Sequence, residues 1–71
     1  ASLVAFGEVG LTGEVRPVAH GEERLRELQK QGYTRVILPR ANAPRSVPEG
    51  LRLMPANTVR EALEAAFQSS G

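Results

Sequence analysis

An α+β fold, arranged as a two-layer β-β-α-β-β-α unit, is predicted for this 71-residue chain by three kinds of stretch. Residues 6–18 place short alternating apolar runs around glycines, as an antiparallel hairpin does. Residues 21–32 and 59–67 repeat apolar side chains at helical spacing. Residues 33–39 are β-branched and apolar without alternation after Arg35, the pattern of a central strand covered on both faces.

Taken in order, the apolar or small residues 3–8 form the first strand, and Gly10 and Gly13 make the turn, since glycine adopts φ > 0 without steric cost. Residues 14–18 alternate as a half-buried second strand that Pro17, lacking a backbone donor, confines to an edge or an end. The first helix follows from Gly21, with Leu25 and Leu28 on its apolar stripe, Glu22 and Glu23 in its first turn and Lys30 in its last, as the helix dipole favours. Glu22 and Arg26 are spaced as an i,i+4 ion pair. Gly32 ends the helix and Pro39 ends the strand that comes next.

Residues 40–50, with Pro44 and Pro48, read as an irregular loop, and loops of that length in small domains are commonly functional or mobile. A last strand occupies residues 51–55, with Leu51 and Leu53 on one side. The second helix opens on a capping box, in which the Thr58 hydroxyl accepts from the Glu61 N–H and the Glu61 carboxylate reaches back to the N–H of Thr58. Val59, Ala62, Leu63, Ala66 and Phe67 are its apolar face.

Composition narrows the function. Without cysteine there is neither disulfide nor thiolate metal site, and the single His20 cannot make a metal ligand set, so no metal site is expected. No apolar run is long enough to span a membrane. The chain starts within a strand-like pattern, and we therefore expect a piece of a longer protein.

Net charge is only +1, yet three arginines and no acid lie in residues 33–46. Arg24, Arg26, Lys30, Arg40 and Arg45 are accordingly the candidate phosphate-contacting residues. With three aromatic residues, two of them read as core, a base-stacking platform is not expected. No catalytic residue is expected either. His20 has no nucleophile placed beside it, Glu22 and Glu23 diverge around the helix, and Gly7, Gly10 and Gly13 lack the Lys-Ser/Thr of a P-loop.

The runs GEVGLTGEVRPV (7–18) and RVILPRANAP (35–44), with the helices that follow each, resemble the C-terminal domain of the RadA (Sms) family of bacterial recombination and repair proteins. More distantly they are similar to the C-terminal half of the Lon protease proteolytic domain. The resemblance implies a fold like part of the second domain of ribosomal protein S5. It also implies a cytoplasmic parent protein that assembles as a hexameric ring, uses ATP, Mg and Zn outside these residues, and acts on branched or single-stranded DNA. This stretch, the C-terminal fragment of a Lon-protease-like domain, would contribute ring assembly and sequence-independent DNA contact, without a cofactor of its own.

In active Lon enzymes a Gly-Gly pair, an apolar residue and the catalytic Lys begin the corresponding helix. Here Ala19, His20, Gly21 and Glu22 stand at those four positions. A carboxylate cannot serve as the amine base of a Ser–Lys dyad, which argues against the alternative, an active Lon-like peptidase. The Ser-bearing segment of that family also lies upstream of the matching stretch.

Overall fold

The computed structural model describes residues 3–69, without the side chain of Ser69. Two strand systems are present among them. β1 (Leu3–Ala5), β4 (Arg35–Pro39) and β5 (Arg52–Ala56) make a parallel sheet in the order β1-β4-β5, while β2 (Glu8–Val9) and β3 (Val15–Arg16) make a separate antiparallel hairpin. The helices are α1 (Gly21–Lys30) and α2 (Val59–Ser69). The α+β class holds, and β4 is the central strand.

The element order differs from the expectation at the first strand. Residues 3–8 are two strands, not one: β1 enters the parallel sheet, and β2 enters the hairpin after a break at Phe6–Gly7. Gly7 makes this possible at φ 152°, with the side chains of Pro39 and Val15 so close that a Cβ would stand 3.1 Å from each. The hairpin then docks on the start of α2, through Val15 N–H to Asn57 O at 2.8 Å and Val59 N–H to Gly13 O at 2.9 Å.

Strand alternation fixes which helix covers which face. Val36 and Leu38 are fully buried and pack with Leu25 and Leu51, joined by half-buried Val4, Phe6, Leu28 and Leu53. Ile37 points the other way, and with Ala5 and Ala56 it lines a groove completed by Val59, Ala62, Leu63 and Ala66 of α2. The helices therefore lie on opposite faces of the sheet. This makes three layers where the sequence reading expects two, because β4 is apolar on both faces and each face needs its own cover.

Local chemistry explains where the elements end. His20 precedes α1 in the left-handed conformation (φ 60°, ψ 40°). At the other end Gly32 takes φ 92°, with its N–H on Gln29 O and the Tyr33 N–H on Leu28 O, the paired bonds of a Schellman stop. Strand β5 starts one residue later than expected, because the Leu51 N–H closes the loop on Pro48 O at 3.2 Å. The capping box of α2 forms with one change of partner. Glu61 N–H donates to Thr58 Oγ1 at 3.1 Å, but the Glu61 carboxylate accepts from the N–H of Asn57, not Thr58.

Candidate nucleic-acid interface

The loop joining β4 to β5 is less free than its prolines suggest. Residues Arg40–Asn42 form a single 3-10 turn, closed by Ala43 N–H to Arg40 O at 3.1 Å. From that turn Asn42 reaches back to the approach of α1 and makes two bonds with one residue. Its Oδ1 accepts from Val18 N–H at 2.8 Å, and its Nδ2 donates to Val18 O at 2.9 Å. Gly21 stands against the same amide, and a Cβ there would lie 2.6 Å from Asn42 Nδ2. At the far end of the loop, Gln29 Nε2 of α1 donates to the carbonyl of Glu49.

Between these two fastenings, Pro44, Ser46, Pro48 and Glu49 face Glu22, Leu25, Arg26 and Gln29 of α1 across a groove of about 370 Å³. Four of the five candidate basic residues gather around this region. Arg26 lines the groove, Arg45 stands between two of its lining residues, and Arg40 opens the turn that Asn42 closes. Lys30 is one helical turn beyond Arg26 on the same side of α1. All are exposed, and none makes an ion pair among the described residues.

Arg24 is set apart. It sits about 200° around the helix from Arg26, beside Val4, Phe6 and Leu28, with its Nε donating to Ala19 O at 3.3 Å. The Glu22–Arg26 ion pair is likewise not formed among the described residues. Both side chains are exposed on the groove rim, where such a pair gains little against its side-chain entropy.

Glu22, expected from the resemblance to stand where active Lon enzymes carry the catalytic Lys, is exposed on the first turn of α1. His20 is 74% exposed, with Nδ1 3.7 Å from Glu23 Oε1. The only lysine in the sequence, Lys30, is at the opposite end of the helix. Among the described residues no group of three or more His, Asp or Glu side chains is placed to hold a metal ion, and no helix is long and apolar enough to cross a membrane.

Among the described residues, a strongly shifted carboxyl lies elsewhere, at the hairpin turn. Glu14 is held down at about 2, chiefly because the Thr12 hydroxyl donates to it at 2.7 Å, and next because Arg16 does so at 2.8 Å. The Arg16 guanidinium is raised in return by the same contact. This is a turn clasp, remote in sequence from the loop arginines. Gly10 belongs to it, since a Cβ there would fall on the Glu14 carboxylate.

The family model for the Lon protease (S16) C-terminal proteolytic domain matches residues 2–69. The chain belongs to this family. Among the relatives this Lon-type chain is similar to are DNA repair proteins. It is 50% identical over 66 residues to DNA repair protein RadA of Pseudomonas aeruginosa, covering 93% of this chain and 15% of that protein. The RadA protein of Escherichia coli is 49% identical over 61 residues, covering 86% and 13%, and that of Bacillus subtilis is 44% identical over 63 residues, covering 87% and 14%. The Lon-type chain thus spans about one seventh of the relatives it matches.

Sequence reasoning missed Asn42 and Gln29 as the fasteners of the loop. Asn42 lies in the ILPRAN run that carries the family likeness, yet its partner is 24 residues away. No local pattern announces such a bond.

Proposed function

We propose that this domain is a non-catalytic module of a longer RadA-type DNA repair protein, contributing to ring assembly through one face and to sequence-independent DNA contact through the other. The carrying observation is the separation of surfaces. On the α2 side the groove of about 310 Å³ is lined entirely by apolar residues and glycine, and Val9, Leu63 and Phe67 are 65%, 53% and 75% exposed around it. The α1 side carries Arg26, Lys30, Arg40 and Arg45. Apolar surface of that kind is characteristic of an interaction site, and in this reading it is covered in the assembled protein. Exposed arginines on a loop suit phosphate oxygens, which position a nucleic acid without reading its sequence.

ATP, Mg and Zn belong, in this proposal, to the parts of the parent outside these residues. The kinship to the second domain of ribosomal protein S5 and the cytoplasmic location are part of the same proposal. A Ser–Lys peptidase is not favoured, given Glu22 at the base position and the only lysine at the far end of α1.

The test uses the full-length protein with two variants, read by sedimentation velocity and by binding to a single-stranded oligonucleotide. Leu63→Glu is expected to lower the assembled mass. Arg40→Glu with Arg45→Glu is expected to keep that mass and weaken DNA binding. Unchanged mass in the first variant together with unchanged affinity in the second would overturn the reading.

A further inference from the structure

We propose that Asn42 and Gln29 are positioning residues for polyanion contact, holding the loop of residues 40–50 in its binding geometry before the nucleic acid arrives. The inference rests on the DNA-contact reading above and deepens it. A surface loop carrying two exposed arginines, Arg40 and Arg45, would ordinarily be ordered only on binding, and the ligand would bear the entropy of ordering it. Here the ordering is done inside the fold. Asn42 satisfies both backbone groups of Val18, at 2.8 and 2.9 Å, and so fixes the 3-10 turn on which Arg40 stands. Gln29 anchors the carbonyl of Glu49 at the loop's other end.

The span between the two anchors contains Pro44 and Pro48, whose rings set φ and restrict the residue before each, so the loop backbone around Arg45 has fewer conformations to lose. The anchors also set distance from α1. With the loop fastened to both the start of α1 and its third turn, Arg45 is kept on the rim of the groove that Arg26 lines. Neither Asn42 nor Gln29 carries charge, so neither replaces a counterion at a phosphate. They act through the arginines.

That distinction gives the test its readout. Counterion release makes the salt dependence of affinity report the number of phosphates neutralised, while preorganisation changes affinity through the fraction of protein in the competent conformation. In the full-length protein, titrated with a single-stranded oligonucleotide at several salt concentrations, Asn42→Ala and Gln29→Met are each expected to weaken binding about 3- to 10-fold, as the held conformation falls to about a third to a tenth of the population. The salt slope should stay close to that of the parent. Hydrogen exchange of the loop amides should quicken in both variants while the amides of Val36 and Leu38 stay protected, which separates a loosened loop from a failed fold.

Arg40→Glu with Arg45→Glu is the companion arm and should lower the slope. Parent-like affinity in Asn42→Ala and Gln29→Met, with faster loop exchange, would overturn the positioning role while the arginine arm still upheld the DNA reading. Parent-like affinity and slope in the arginine variant would overturn both.

Discussion

Gly21 is a helical position with no room for an added atom. Replacing a helical glycine with alanine ordinarily stabilises a helix by about 0.5–1 kcal/mol. Here the new Cβ would stand 2.6 Å from Asn42 Nδ2, so Asn42 would have to leave its two bonds with Val18 or the helix start would have to shift. We expect Gly21→Ala to lower stability by about 1–3 kcal/mol, as overpacking does, measured by urea unfolding of the 71-residue chain. A gain in stability would show that the Asn42 clasp gives way freely. The sequence shows Gly21 only as one member of an apolar stripe. Its role follows from Asn42, which is 21 positions later and brought near by the parallel sheet.

Elements were legible to different degrees, for physical reasons. Both helices show in the sequence because their signals are local: dipole-matched charges and Gly32 for α1, the Thr58–Glu61 box for α2. β4 shows because a strand covered on both faces is continuously apolar. The division of residues 3–8 between two strand systems does not show, since it depends on which neighbour each half finds. Leu3 pairs with Arg35 in parallel, and Glu8 with Arg16 in antiparallel.

The hairpin also carries a pH-dependent clasp. Glu14 is bonded as the carboxylate and its value falls from 4.5 to about 2. Its contribution is therefore fully present above pH 4.5 and is lost as pH falls through 2. Glu14→Gln should flatten that part of the acid-unfolding profile, followed by circular dichroism melts between those pH values. An unaltered profile would mean that the Thr12 and Arg16 contacts do not survive in solution.

At the scale of the whole molecule, the two faces of one small sheet are closed to different extents. The α1 face closes the core around Leu25, Val36 and Leu38 and turns charge outward. The α2 face closes only partly, because Leu63 and Phe67, read from the sequence as part of an apolar helix face, remain 53% and 75% exposed. Periodicity locates an apolar stripe but does not say whether the chain itself or another surface covers it. The same limit applied to the basic residues. Their number was readable, whereas the separation of Arg24 from Arg26, Lys30, Arg40 and Arg45 depended on the helix phase and on the loop's two fastenings.

In the function proposed above, this Lon-type domain meets DNA through Arg40 and Arg45. The most direct measurement is the salt dependence of single-stranded oligonucleotide binding by the full-length protein, with and without Arg40→Glu and Arg45→Glu. Each arginine lost from a phosphate of a single strand should reduce the magnitude of the slope of log K against log salt by about 0.7, so we predict a slope smaller in magnitude by about 1.4, together with weaker binding. An unchanged slope and affinity would contradict that role and leave this face without nucleic-acid contact through Arg40 and Arg45.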